Sequence, residues 1–213
     1  MNLLFNLSQQ LILIKDLTGI LDFAEVDKQL STLEYKNNIA NQISINKNLF
    51  DIPVFADSKR AIEEECSSFL RHTLHVGDFY QTLKMTNSWA NKTSPGEKHH
   101  EHVHPFSVVS GVIYLDNNPS NLNLYIESYL PQIPYFITKN KTYASLHALI
   151  TDQQIDPNTI NNLQNHMVLF LSNQHHFVDE VPEGLPNRRS LSFNTFWTGI
   201  TGVKEDSLAS YTF

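Results

Sequence analysis

Six of the ten histidines in this 213-residue chain fall into two groups that lie about seventy residues apart. The first group is the segment KHHEHVHP at residues 98–105, and the second is the pair His175 and His176. Imidazole is the commonest metal ligand among protein side chains. This grouping constrains the fold, because two distant segments must meet if both contribute ligands to one metal site.

The overall composition is typical of a globular protein. Hydrophobic residues make up 41% of the chain and charged residues 17%, which is enough to form a core and too little charge for a disordered chain. The net charge of −7 disfavours binding to a phosphate backbone. The N-terminal segment MNLLFNLSQQLILIK has no preceding basic region and no continuous apolar run of membrane-spanning length, so we expect neither a signal peptide nor a membrane span.

Cys66 is the single cysteine, which excludes an intramolecular disulfide and a cysteine zinc cluster. A lone cysteine fits a reducing, cytoplasmic setting. Because Cys66 shares a helical spacing with Ile62 and Phe69, we interpret it as a small buried core residue without a catalytic role.

Two helices are predicted in the first part of the chain. Apolar spacing indicates an amphipathic helix over residues 20–36 and a second helix over 58–74, capped by Asp57 or Ser58. We expect residues 1–84 to form a helical scaffold packed on a core made by residues 85–213, the two together forming one compact domain.

The rest of the chain has the pattern of antiparallel β structure. From residue 78 onward, short runs of apolar and β-branched residues alternate with turn formers. The predicted strands cover residues 78–90, 102–116, 122–130, 167–172 and 188–198. A short helical piece is expected around residues 144–150. The seven glycines are scattered, so there is no glycine-rich phosphate loop and a nucleotide-binding fold is not expected.

The histidines suggest a metal site shared between strands. If His102, Val103 and His104 lie on one strand, the two imidazoles share a face and can reach one ion. A third histidine, His175 or His176, follows the strand MVLFLS. An alternative register uses His100 and His102, with Glu101 on the opposite face.

The remaining histidines are interpreted as ordinary hydrogen-bonded or surface residues. They are His72, His75, His99, His100, His147 and His166.

The segment RRSLSFN at residues 188–194 alternates polar and apolar side chains, so a strand here has one polar face. That face consists of Arg188, Ser190, Ser192 and Asn194. A barrel strand with a polar inner face suits a buried polar ligand, and arginine binds carboxylates in a two-pronged manner. Arg188 shares its face with Ser190, so we predict that Arg188 points inward and Arg189 toward solvent. Gly111, in the strand-like SVVSGVIYL, indicates a bulge or a close approach by another group.

Taken together, these segments resemble the iron(II)- and 2-oxoglutarate-dependent oxygenases, particularly small phage and bacterial members related to prolyl hydroxylases. The markers are NSWAN at 87–91, H-x-H-P at 102–105, SGVIYL at 110–115, VLFLSNQHHFV at 168–178 and RRSLSFN at 188–194. The resemblance implies a mainly β fold with N-terminal helices and a double-stranded β-helix core, the jelly roll of cupin-like proteins. For a phage protein, the cytoplasmic setting would be that of the host.

Carried over residue by residue, the resemblance makes His102 the first metal ligand and His176 the distal one. Arg188 and Ser190 become the clamp for the far carboxylate of 2-oxoglutarate, and Tyr114 and Asn194 are further candidate lining residues. The implied cofactor is Fe(II), and the implied co-substrate is 2-oxoglutarate. The implied reaction is hydroxylation of a peptide, for example at a prolyl residue, or of a small molecule, with release of succinate and CO₂.

One position departs from the usual pattern, because His104 stands where the facial triad has an aspartate or glutamate. With His104 as a ligand, the candidate metal and catalytic residues are His102, His104 and His176. Three neutral histidines also hold zinc in enzymes. Two other functions therefore stay open: a three-histidine cupin-like or zinc enzyme, and a non-catalytic protein that keeps the oxygenase fold.

Overall fold

The computed structural model describes residues 2–7, 10–74, 82–117, 122–126, 142–145, 163–198, 200–201 and 211–212. Within these ranges, two helices precede most of the strands. The helices are α1 (Phe23–Leu30) and α2 (Ala56–Leu74), and short 3₁₀ turns lie at Leu49–Asp51 and Pro53–Phe55. The strands are β1 (Asn2–Leu7), β2 (Gln10–Asp16), β3 (Tyr35–Asn37), β4 (Gln42–Ser44), β5 (Thr82–Thr93), β6 (His99–His102), β7 (Val109–Tyr114), β8 (Leu122–Ile126), β9 (Thr142–Ser145), β10 (His166–Leu171), β11 (His176–Val178), β12 (Arg188–Thr198), β13 (Ile200–Thr201) and β14 (Tyr211–Thr212).

The strands from β5 to β12 alternate between two antiparallel sheets, except that the consecutive strands β8 and β9 both belong to the smaller sheet. The larger sheet has the order β1-β2-β10-β7-β12-β5-β4-β3, and the smaller has the order β6-β11-β8-β9. Thus β5, β7, β10 and β12 face a second layer made by β6, β8, β9 and β11. This interleaving is the jelly-roll arrangement. The predicted double-stranded β-helix core is confirmed.

The N-terminal part contributes strands as well as helices. The β1–β2 hairpin and the β3–β4 hairpin extend the two edges of the larger sheet, and the sequence patterns did not predict them. Helix α1 is shorter than the predicted range 20–36. It begins after Asp22, whose side chain accepts from the N–H groups of Ala24 and Glu25, and it ends at Leu30. The division of the chain at residue 84 stays a prediction, and β5 crosses that position.

Helix α2 matches the second predicted helix closely, although it begins at Ala56, ahead of the predicted cap. Ser58 instead donates a hydrogen bond to the carbonyl of Ile20 at 2.7 Å. Cys66 and Phe69 on α2 are buried in the core. Burial raises the pKa of the Cys66 thiol, so the thiol stays protonated, which agrees with a packing role.

Two further sequence predictions change in detail. The predicted strand 102–116 is interrupted, because β6 ends at His102 and Phe106 has a left-handed φ of 58° before β7 begins. Ala144 lies in β9 rather than in a helix, and residues 146–150 are outside the described residues.

No helix in the described ranges is long and apolar enough to cross a membrane.

Gly111 marks a close approach between strands, as predicted. It lies on β7 opposite Phe193 of β12, and a Cβ at this position would overlap the Phe193 ring. Phe193 is fully buried and meets the Phe50 ring edge-on, with 6.3 Å between centroids. The missing side chain at residue 111 therefore makes room for a core aromatic.

We expect Gly111→Ala to lower the free energy of unfolding by about 1–3 kcal/mol, because the added methyl overpacks a rigid contact. Urea denaturation measures the change. Phe193→Leu removes part of the ring that the new methyl group meets. The double variant Gly111→Ala/Phe193→Leu should therefore lose less stability than the sum of the losses that the two substitutions cause alone. An unchanged urea midpoint for Gly111→Ala would contradict this account of the contact.

Candidate metal centre

Three histidines converge where β6 ends and β11 begins. His102, the last residue of β6, pairs across the smaller sheet with His176, the first residue of β11. His104 lies beyond the strand, and its backbone N–H donates to the carbonyl of Ser172 at 2.9 Å. The prediction that His102 and His104 share a strand face is therefore wrong. The loop nevertheless brings the His104 ring centroid to 4.8 Å from that of His102 and 5.0 Å from that of His176.

Hydrogen bonds orient two of these rings for metal binding. Nδ1 of His102 lies 2.8 Å from the carbonyl oxygen of His100, and Nδ1 of His176 lies 2.9 Å from that of Gln174. A carbonyl only accepts, so each Nδ1 carries the proton and each Nε2 keeps a free lone pair. Metal-bound histidines are commonly held in this way.

The donor atoms fit a single ion. One ligand nitrogen from each of the three histidines lies within 4.8 Å of the others. Metal–nitrogen bonds of about 2.0–2.1 Å require neighbouring donors to be about 3 Å apart, which small side-chain rotations achieve.

The three imidazoles are neutral at neutral pH. Burial is the main cause that lowers the pKa of each ring, and it lowers that of His104 to about 4, with a further contribution from His102. The pKa of His176 falls well below its ordinary value through burial and the proximity of His102 and His104. Neutral imidazole is the form that coordinates metals.

The structure also separates the alternatives that the sequence left open. His175 lies outside the cluster, and its Nδ1 is 3.0 Å from a carboxylate oxygen of Glu101. His176 rather than His175 joins His102. His104, rather than His100, completes the group of three.

A cavity between the two sheets opens onto the three histidines. Its walls include the predicted residues Arg188, Ser190 and Tyr114. The fourth predicted residue, Asn194, is buried but does not line the cavity, and its side-chain oxygen accepts a hydrogen bond from Ser110 at 2.7 Å. We therefore correct the prediction for Asn194, which supports the wall rather than facing the cavity.

Arg188 and Arg189 point in opposite directions, as predicted. Arg188 is only 4% exposed, and it donates to the Asp179 carbonyl at 3.1 Å and to the Thr93 hydroxyl at 3.4 Å. Among the described residues, no ion pair involves Arg188. Arg189 is partly exposed and forms ion pairs with Asp116 and Asp27.

Tyr114 places a polar group without a hydrogen-bond partner on the same wall. Its hydroxyl is buried and has no hydrogen-bond partner in the described part of the chain, and it lies on β7 opposite Ser190. Burial raises the pKa of Tyr114 to about 12, so the hydroxyl keeps its proton. Buried polar groups normally have partners, so this hydroxyl is a candidate donor to a ligand.

Sequence reasoning missed part of the wall formed by β5. Trp89, Asn91 and Thr93 line the cavity from alternate positions of this strand. The amide of Asn91 accepts from the Trp89 ring N–H at 3.2 Å and donates to Ser192 at 2.9 Å. The segment NSWAN contained this alternation, but the predicted strand stopped at residue 90.

His99 was also missed, because simple alternation places it on the face opposite His102. The β6–β11 register shifts between His176 and Val178. His99 consequently lines the same cavity, with its ring centroid 4.6 Å from that of His102. Burial lowers the pKa of His99 to about 3. An irregular register of this kind has no clear signal in the sequence.

A family model described as "Putative 2OG-Fe(II) oxygenase" matches residues 87–194. The chain belongs to this family. The matched segment contains the three clustered histidines, Tyr114 and Arg188, and the family is defined by Fe(II) and 2-oxoglutarate. The resemblance inferred from the sequence motifs is confirmed.

Solved structures share the fold at low sequence identity. A prolyl-4-hydroxylase from Pseudomonas putida is 14% identical with a TM-score of 0.51, covering 86% of this chain and 91% of its own. HygX from Streptomyces hygroscopicus, solved with nickel, 2-oxoglutarate and hygromycin B, is 9% identical with a TM-score of 0.54 and coverages of 86% and 82%. The carbocyclase SnoK from nogalamycin biosynthesis is 8% identical with a TM-score of 0.57 and coverages of 94% and 86%. No curated protein matches the sequence.

The adjacent histidines 175 and 176 provide a matched test of the cluster. We expect His176→Ala to weaken Fe(II) or Co(II) binding by on the order of 100-fold or more, because it removes one of three nitrogen donors. His175→Ala should bind the metal as the unaltered protein does, since His175 lies outside the cluster. Anaerobic calorimetry measures both affinities. Equal losses in the two variants would argue against the proposed ligand set.

The lowered histidine pKa values predict acid sensitivity of the metal-free protein. Below about pH 6.5 the unfolded histidines bind protons that the folded ones exclude. The free energy of unfolding should therefore be unaffected above this pH and fall as the pH drops from about 6.5 toward 4. Chemical denaturation at a series of pH values measures this decline. It should be smaller in His176→Ala than in His175→Ala, and identical profiles would be evidence against the lowered pKa of His176.

Proposed function

We propose that this chain is an active Fe(II)- and 2-oxoglutarate-dependent dioxygenase. In this proposal His102, His104 and His176 bind the iron, and Arg188 binds the far carboxylate of 2-oxoglutarate. One observation carries it: Arg188, a buried guanidinium with no ion pair among the described residues, lines the same cavity as three converging neutral imidazoles.

The environment of Arg188 supports an anionic co-substrate. A buried charge without a partner of opposite sign costs several kcal/mol, and a carboxylate in two-pronged contact with the guanidinium offsets that cost. Ser190 is on the same strand face as Arg188, and the Tyr114 hydroxyl lies opposite Ser190. Both hydroxyls are available to donate to the same carboxylate. A dicarboxylate whose other end reaches the histidines fits these groups.

The residues of the chain position the reactants and control their protonation. When bound, iron with 2-oxoglutarate and dioxygen supplies the oxidising chemistry, in which 2-oxoglutarate becomes succinate and CO₂. His102 and His176 keep their Nδ1 protons on backbone carbonyls, which fixes the direction of each Nε2. Asn91 holds Trp89 and Ser192 in place on the wall.

We propose hydroxylation as the reaction, with a peptide or a small molecule as the primary substrate. The relatives with this fold include a prolyl-4-hydroxylase, an epimerase and a carbocyclase. A prolyl residue within a peptide is one candidate target. Hydroxylation needs only the common chemistry of the family, without a special ring closure or inversion.

His104 in place of an acid changes the charge of the site. The charges of Fe(II) and dianionic 2-oxoglutarate cancel, and three neutral histidines add no charge, so the complex is neutral. The usual carboxylate would leave the same complex with one negative charge. We therefore expect altered iron affinity relative to a site that contains a carboxylate.

A three-histidine zinc enzyme is a second candidate, favoured by the all-nitrogen donor set. Such an enzyme would lower the pKa of a bound water, and Arg188 would have no evident partner. A non-catalytic protein with this fold is the third reading. An assay of succinate release in the presence of Fe(II), 2-oxoglutarate and oxygen distinguishes the three functions. Turnover that needs zinc and not 2-oxoglutarate would favour the zinc enzyme. A protein that binds neither iron nor 2-oxoglutarate would favour the non-catalytic reading, and either result would contradict the proposal.

The neighbouring arginines allow a matched test of co-substrate binding. We expect Arg188→Gln to raise the Kd for 2-oxoglutarate by on the order of 100-fold, since loss of one partner of a buried charge pair costs about 2–5 kcal/mol. Arg189→Gln removes the same charge at the adjacent position and should leave the Kd nearly unchanged. Calorimetry on metal-loaded protein without oxygen measures both values. A similar Kd in the two variants would rule out the assigned clamp.

A further inference from the structure

The two ends of the cavity wall differ, so the co-substrate and the primary substrate are expected at opposite ends. Strands β12 and β5 form one wall of the cavity and continue past it: Arg188 pairs with Thr93 within the cavity lining, and Asn194 pairs with Asn87 beyond it. Between these ends, Trp89 lies beside His104, with 5.8 Å between the ring centroids. If 2-oxoglutarate extends from the histidines to Arg188, the primary substrate must approach from the Trp89 and Asn87 side.

Lys47 lies at this second end with an unsatisfied charge. Its backbone carbonyl accepts from the Ser88 N–H at 2.7 Å, which fixes Lys47 beside β5. Its ammonium nitrogen is buried and has no hydrogen-bond partner among the described residues. Lysine usually extends its charged end into water and buries its stem. Lys47 does the reverse, because the residue is partly exposed while its charged end points inward.

The Trp89 ring does not replace a counter-ion for Lys47. The Lys47 nitrogen lies 5.7 Å from the centre of the Trp89 ring, near the outer limit of a cation–π contact. Burial, with a contribution from the positive charge of Lys36, lowers the pKa of Lys47 to about 8. The ammonium thus remains largely charged at neutral pH, and an anion would relieve its burial.

Asn87 adds an unsatisfied acceptor at the same end. Its side-chain carbonyl oxygen is buried without a partner in the described part of the chain. Asn87 directly precedes Ser88, the residue that binds the Lys47 backbone. A cationic donor and a neutral acceptor, both unpaired, therefore flank Trp89. Such a pair is complementary to a carboxylate that lies close to an N–H group.

The charge of the proposed site also favours an anion here. No described residue that lines the cavity is an aspartate or glutamate, and His104 occupies the position of the usual acid. Because the charges of Fe(II) and 2-oxoglutarate cancel, the guanidinium of Arg188 gives the loaded cavity a net positive charge. Phe106 lies two residues beyond His104, 91% exposed, and offers an apolar surface for a substrate stem.

We propose that the primary substrate carries a carboxylate next to an N–H group, with Lys47 binding the carboxylate and Asn87 the N–H. A free amino acid or the C-terminal residue of a peptide has this chemistry. The proposal rests on the proposed oxygenase function, because the direction of the cavity follows from 2-oxoglutarate binding at Arg188. The lysine stem is flexible enough for the ammonium to reach the ligand without backbone movement.

The test compares two probes of nearly the same shape, N-acetylglycine, which ends in a carboxylate, and N-acetylglycinamide, which ends in a neutral amide. Ligand-detected NMR measures their affinities for protein loaded with Ni(II) and saturating 2-oxoglutarate, which blocks Arg188. We expect the unaltered protein to bind the carboxylate probe at least tenfold more tightly than the amide. Lys47→Met should abolish the difference, Lys47→Arg should keep most of it, and Lys36→Met, which removes a nearby exposed charge, should keep it.

A second measurement follows the lysine itself. In protein with ¹³C-methylated lysines, the Lys47 signal, assigned by its loss in Lys47→Met, should titrate near pH 8 and shift to higher pH with N-acetylglycine but not with the amide. Equal affinities for the two probes, or a Lys47→Met variant that still prefers the carboxylate while melting like the unaltered protein, would overturn the proposal. Failure of the proposed function is distinguishable, because 2-oxoglutarate would then not bind in the loading step.

Discussion

The pairing of His102 with His176 across β6 and β11 is the constraint on which the rest of the site depends. It joins segments that are far apart in sequence, and it exists only because β6 and β11 are neighbours in the smaller sheet. The jelly-roll order alone makes them neighbours. The shift in register that follows brings His99 into the same cavity, so the fold concentrates imidazoles that the chain order would separate.

The electrostatics of the cavity follow from the same burial. Neutral histidines suit a shielded site, since burial holds their pKa values low, whereas Arg188 remains charged in the same surroundings. A pocket lined by neutral imidazoles and one buried guanidinium has no negative charge of its own, in the described part of the chain, to balance that cation. A dicarboxylate would give Arg188 the ion pair that it lacks among the described residues, and the Tyr114 hydroxyl a hydrogen-bond partner.

Several features were predictable because they depend on simple local patterns. Alternation along RRSLSFN placed Arg188 inward, and helical spacing placed Cys66 in the core. Other features depend on contacts with distant strands. The β3 and β4 strands are only three residues long, so edge pairing rather than propensity sets them. His104 reaches the cluster through a loop hydrogen bond to Ser172, and His99 through an irregular register, neither of which follows from the spacing of residues.

The two faces of β12 show why the core and the site are not independent. Leu191 and Phe193, which point away from the cavity, are part of the hydrophobic core, while Ser190 and Ser192 on the other face line the cavity. Gly111 allows Phe193 to pack closely against β7, and three pairs along the same ladder Tyr114 faces Ser190. Because backbone register transmits any shift along a ladder, the space left by one missing side chain in the core helps to set the position of the Tyr114 hydroxyl in the cavity.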